Sequence, residues 1–214
     1  MEIEKAGGGF VNPHDLLLLT DWNRVEHCCE DVAPLTPEFL LQLLDEDPVV
    51  QGHALRDLIE ALTPLDTVFS AAPPAALFVA AILGDPRTLA EVTDRVAAEE
   101  FHLGPKEPFP LRVGLLDWLG YTAEQANRQP TPPNGDEEDL DALLATGPTV
   151  LEAIRPFLAD AAQAVREAAL AAALPLLVRP ELAHHAPALG IDEETLAEAR
   201  EAPFRQRTAQ APRS

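Results

Sequence analysis

A chain of 214 residues with 47% hydrophobic and 24% charged side chains is long enough to bury a core and too apolar to be wholly disordered. Its 36 acidic against 15 basic residues leave a formal charge of −21, a field that repels nucleic-acid phosphates and anionic membranes, so neither is expected as a partner. The apolar residues are mostly Ala and Leu, with only 5% aromatics, a choice that favours closely packed helices over sheet; the expected fold class is all-α.

Residues 1–13 read as a flexible, glycine-rich lead without the basic-then-apolar order of a signal peptide. The longest apolar runs, 71–83 and 168–178, fall short of the ~18–20 residues of a membrane span. Cys28 and Cys29 are adjacent, a spacing that cannot close an ordinary stabilising loop, so reduced thiols in the cytoplasm are expected.

The first organised stretch, His14 to Glu30, places Leu16, Leu17, Leu19, Trp22, Val25 and Cys29 at helical spacing and predicts an opening helix or helix pair. Thr36 as N-cap and Pro37 at the first helical position predict a helix to Leu44. Asp45 to Pro48 breaks it, and Val50 to Leu62 resumes. Pro74 to Leu83 is a further helix ended by Gly84-Asp85-Pro86, and Leu111 to Ala126 follows, with Leu115, Leu116, Trp118 and Leu119 as its buried face.

Between those two lies an insertion, residues 87–110, whose Leu89, Val92 and Val96 also stand at helical spacing. A Pro-rich acidic connector spans 129–140, and its acids are read as the favourable start of a helix over Leu140 to Ala145. Pro148 to Leu158, a break at Ala159-Asp160, and Val165 to Leu174 before Pro175 form the clearest helix pair. A capping helix is expected over Asp192 to Ala202, and the polar tail 203–214 is expected to be disordered.

Setting the pairs side by side aligns Val50 with Val165, Ala54 with Ala169 and Leu55 with Leu170. Residues "LLQLLDEDPVVQGHALRDLIEAL" and "IRPFLADAAQAVREAALAAAL" resemble HEAT repeats, and "DWNRVEH", "TVFSAAPPAALFVAAILGDP" and "LRVGLLDWLG" are similar to bacterial cytosolic HEAT-repeat proteins of high-GC actinobacteria. The resemblance covers about residues 21–182. It implies a short α-solenoid of stacked helix pairs, one domain over 14–202, that serves protein contacts; some such relatives look like immunity proteins or accessory subunits of modifying enzymes. Gln51 departs from the pattern, since an arginine is usual there and Arg166 supplies it in the later pair.

Catalytic and metal-binding constellations are weak. His27 and Cys28 place a base beside a nucleophile, but neighbours on a helix point about 100° apart, and no third member follows. Cys28-Cys29 and His184-His185 lack the separated ligand pairs of a zinc site, and 136–141 lacks the calcium-loop spacing. No phosphate loop, nucleophile elbow or His-Glu-x-x-His helix occurs. The expectation is therefore a non-enzymatic adaptor or inhibitor without cofactor or metal, whose acidic surface holds a basic protein. The alternatives are an accessory subunit or weak enzyme with a site near His27 and Cys28, and a self-associating array. The candidate partner-binding residues are Glu99, Glu100, Phe101 and Phe109 in the insertion and Asp136, Glu137, Glu138 and Asp139 in the connector. For both phenylalanines the competing reading is that the rings tuck the loop onto the array.

Overall fold

Alanine and leucine at helical spacing produce eight α-helices among the residues that the computed structural model describes, 12–27, 34–63, 68–93, 107–128 and 137–201. These are α1 (Pro13–Leu19), α2 (Thr36–Gln42), α3 (Pro48–Leu62), α4 (Ala72–Ile82), α5 (Leu111–Asn127), α6 (Glu137–Ile154), α7 (Gln163–Leu177) and α8 (Glu193–Glu201). The β structure among them is one antiparallel ribbon, β1 (Glu91–Val92) with β2 (Phe109–Pro110), in which Glu91 faces Pro110 and Val92 faces Phe109. The chain is mostly helical, in line with the composition.

The packing centres on α5. It lies against α3, α4 and α6 and most extensively against α7, while α4 lies against α1, α2 and most extensively α6. Almost every α5 residue is consequently buried, polar ones included; Glu124 and Asn127 near its end are half-buried. A helix enclosed on all sides needs internal partners for each polar group it carries.

Three turns share one chemistry. The carboxylates of Asp45, Asp85 and Asp160 each accept from the backbone N–H two residues on, at 2.8, 2.9 and 2.8 Å. In the first and third, four residues separate the aspartate from an apolar residue and a side-chain donor, Val50-Gln51 and Val165-Arg166. In the second, deleting 90–110 brings Leu111-Arg112 into the same spacing after Asp85. The ribbon closes that detour at its root, aided by the Leu111 N–H donating to the Ala90 carbonyl at 2.9 Å.

Each of the three side chains donates to carbonyls of nearby turns. Arg166 Nη1 reaches Asp160 and Ala161 at 2.7 and 2.8 Å. Arg112 reaches the Asp85 carbonyl at 3.1 Å and Thr88 Oγ1 at 3.0 Å, with its guanidinium 4.8 Å over the Phe157 ring. Gln51, although not an arginine, does comparable work: Nε2 donates to Leu43 at 3.2 Å and to Arg87 at 3.1 Å, leaving Oε1 without a partner.

Several boundaries differ from the sequence reading. The opening helix stops at Leu19, followed by a turn in which Trp22 Nε1 donates to the Leu17 carbonyl at 3.1 Å. Thr36 is the first residue of α2 and not its cap; its hydroxyl turns to His27. The first part of the insertion is a 3-10 turn (Pro86–Leu89) and a strand, because Val92 pairs across to Phe109.

Two prolines read as breaks lie inside helices. Pro148 has no N–H for the Leu144 carbonyl, and Arg179 Nη1 donates to that oxygen instead at 2.7 Å. Gly147 keeps the approach open, since a Cβ there would lie 3.3 Å from that nitrogen. At Pro175, near the end of α7, Asn127 Nδ2 donates to the carbonyl at 2.5 Å.

Close approach at α5 also depends on glycine. A Cβ on Gly114 would sit 2.6 Å from Leu55 Cδ2 and 3.0 Å from Phe109 Cε2, whereas one on Gly84 would meet nothing within 4 Å. Gly114→Val is therefore expected to cost about 1–3 kcal/mol by overpacking, and Gly84→Ala to change stability by no more than about 0.5 kcal/mol. Urea denaturation of both variants measures the contrast; equal stabilities would refute the packing argument.

Candidate functional site

The proposed partner residues divide sharply. Glu99, Glu100, Phe101 and Asp136 lie outside the described residues, as do Cys28, Cys29 and the tail 203–214. Phe109 is buried, its ring against Gly114 of α5, and so anchors the insertion on the helical body in the manner of the competing reading. Residues 137–139 open α6, where the side chains of Glu138 and Asp139 meet the positive end of the helix dipole; the side chain of Glu137 lies outside the described ones. Glu138 is exposed and Asp139 half-buried.

His27 is held at both ring nitrogens, with Nδ1 3.0 Å from the Val25 carbonyl and Nε2 2.7 Å from Thr36 Oγ1. A carbonyl only accepts, so Nδ1 carries the proton and the Thr36 hydroxyl donates to Nε2. Burial pulls the His27 pKa below its usual value, partly offset by the Val25 bond. The neutral ring thus ties residues 25–27 to the start of α2, and a neighbouring bond from Glu26 N–H to Ser70 Oγ, 2.6 Å, ties them to the turn before α4.

The rings of His184 and His185 lie 4.0 Å apart in a 3-10 turn (Ala183–His185). Among the described residues no group of three or more His, Cys, Asp or Glu side chains is gathered to hold a metal ion, and no helix is long and apolar enough to cross a membrane. An open cleft of about 390 Å³ lies beside α8, floored by Ala186, Ile191 and Leu196 and edged by Asp192 and Glu193. Asp192 is itself engaged as a cap, accepting from the Thr195 N–H at 2.8 Å.

Surface cations are largely committed to acids. Arg87 pairs with Asp85 at 2.7 Å, Arg155 with Glu152 at 2.6 Å, Arg200 with Glu193 at 3.1 Å, and Arg179 with Glu181. Exposed Glu138, Asp141, Glu167, Glu194, Glu198 and Glu201 add to the negative field.

One acid escaped the sequence reading. Asp117 sits within Leu115-Leu116-Asp117-Trp118-Leu119 in the middle of α5, only 7% exposed, and no hydrogen bond or ion pair joins it to another described residue. Burial raises its pKa to about 7. Its neighbour Trp118 has a partner, Nε1 donating to Thr63 Oγ1 at 3.3 Å. The available signal was a lone acid inside an apolar run on a helix too hydrophobic to have a solvent face.

No known family model matches the chain, and neither curated proteins nor solved structures yield a match.

The raised Asp117 pKa means that the folded chain holds a proton which the unfolded chain has released. Stability from this group is full below the ordinary value of 3.8 and is lost as pH rises towards about 7. Asp117→Asn removes that dependence: its stability relative to the parent should rise between pH 3 and pH 8 by up to about 4 kcal/mol. His27 acts in the opposite sense, its lowered pKa withdrawing stability as pH falls below the usual imidazole value. Denaturant titrations of parent and Asp117→Asn across this range measure the effect, and parallel curves would disprove it.

Proposed function

We propose that this chain is a HEAT-like helical scaffold acting in the cytoplasm, a non-enzymatic adaptor or inhibitor whose acidic surface binds a basic protein. The observation that carries the architectural part is the recurrence of one turn, an aspartate accepting from the amide two residues on, followed by Gln51, Arg112 or Arg166 donating to turn carbonyls. The layering agrees with it: α2 and α6 flank α4 while α3 and α7 flank α5, as expected of three stacked helix pairs, with α8 against α7 at one end.

The net charge of −21 supports the choice of partner. A field of that sign accelerates encounter with a basic surface and disfavours acidic competitors. An immunity-type role, in which the acidic protein occupies the basic working surface of a toxin, fits the same chemistry.

Affinity capture of the full chain from its native cytosol tests the reading. One stoichiometric basic partner, retained at about 0.05 M salt and released at about 1 M, where charges are screened beyond a few ångströms, is the expected outcome. Converting Asp136, Glu137, Glu138 and Asp139 to their amides should then slow association several-fold with less effect on dissociation, as measured by surface plasmon resonance. Binding that ignores both salt and these substitutions would overturn the proposed role of the acidic surface.

A further inference from the structure

The entry to α8 leaves an open cleft of about 390 Å³. Its base is closed by the buried side chains of Ala186, Ile191 and Leu196, and its mouth is formed by Ala183, Pro187 and Gly190, the last two exposed. Backbone bonds hold these walls. The Ala186 carbonyl accepts from the Leu189 and Ile191 N–H groups, both at 3.0 Å, and the Leu196 N–H donates to the Asp192 carbonyl at 3.2 Å. Gly190 turns the chain between them at φ 75°, a left-handed conformation that glycine adopts without a Cβ clash. A cavity fixed in this way, inside the ~300–1,000 Å³ of ordinary ligand sites, needs little reordering of the protein on binding.

The lining selects the ligand. Among the described lining residues the polar side chains are Asp192 and Glu193, both exposed at the edge. The base offers apolar atoms alone, so it has nothing to orient a polar small molecule. Glu194 and Glu198, also exposed, add negative charge on α8, whose one cation, Arg200, pairs with Glu193 at 3.1 Å. An apolar base under an anionic edge matches an apolar side chain that has a cation beside it, and it repels an anion.

Resting on the scaffold reading above, we infer that this cleft receives a peptide segment of the basic partner, in which an aliphatic side chain packs against Ala186, Ile191 and Leu196 while a neighbouring arginine or lysine meets Glu193 and Glu194 at the rim. The pair between Glu193 and Arg200 is exposed, and exchanging it for a pair with the partner costs little. The apolar contact sets how long the segment stays, and the surface acids set how fast it arrives.

The test uses the full chain, isotope-labelled for NMR, with acetyl-Arg-Leu-Arg-amide as probe. Saturable amide shifts are expected at Ala186, Gly190, Ile191 and Leu196, with a Kd on the order of a millimolar. Acetyl-Arg-Ser-Arg-amide keeps the charge and acetyl-Gln-Leu-Gln-amide keeps the apolar side chain; each should bind at least about fivefold more weakly. Ala183→Phe, which fills the mouth, should abolish the shifts. Glu193→Gln, which leaves the shape of the cleft intact, should weaken binding about two- to fivefold. Equal binding of the three peptides, or parental shifts in a folded Ala183→Phe variant, overturns the inference. So do the same shifts on concentrating the protein alone, which would give the cleft to a second copy. Probe binding that appears only after removal of residues 202–214 also overturns it, by giving the cleft to the chain's own tail.

Capture from the native cytosol separates the two proposals. A basic partner held by the parent and lost by Ala183→Phe supports the cleft. One held equally by both rejects the cleft and leaves the scaffold reading intact. If the parent captures nothing, the scaffold reading fails, and the inference that rests on it fails as well.

Discussion

The enclosure of α5 is the constraint on which the rest of the structure depends. A helix with neighbours on every side cannot send polar groups to water, so each must find a partner inside or weaken the fold. Arg112 is accommodated by a carbonyl, a hydroxyl and an aromatic face, and the Trp118 indole by Thr63. Gly114 lets Leu55 and Phe109 approach the helix, which seats the root of the insertion against the same element. Asp117, joined by no hydrogen bond or ion pair to another described residue, and Gln125 Nε2 are exceptions, and the first shapes the expected pH response.

Polar side chains elsewhere repair what the helical chain leaves open. The turn carbonyls near Asp85 and Asp160 and the carbonyls of Leu43 and Arg87 receive donors from Arg112, Arg166 and Gln51. The Leu144 carbonyl, deprived by Pro148, receives Arg179 from beyond the end of α7. These bonds link segments far apart in sequence, so the turn conformations and helix packing support one another.

Surface and interior hold their charges under different conditions. The exposed acids set a long-range negative field that salt screens. A desolvated carboxylate such as that of Asp117 is screened far less. Phe109, which the sequence offered as a partner anchor, is spent in holding the insertion to the helices.

Much of the helical layout was legible before folding. Ala- and Leu-rich periodicity located the cores of α3, α4, α5 and α7, the Asp45 and Asp160 turns announced their own breaks, and the acidity followed from counting charges. These features are local or additive, so one chain of letters suffices. Helix ends at prolines were misread because Leu144 is rescued by Arg179, a residue 35 positions away. The recurrence of the aspartate turn between α4 and α5 was obscured by the detour between Ala90 and Leu111, which closes only when Val92 meets Phe109. The sequence by itself determined helix content, charge and the spacing of the turns; only tertiary structure decided that Phe109 and Asp117 are buried, because burial is set by what distant segments lay over a residue.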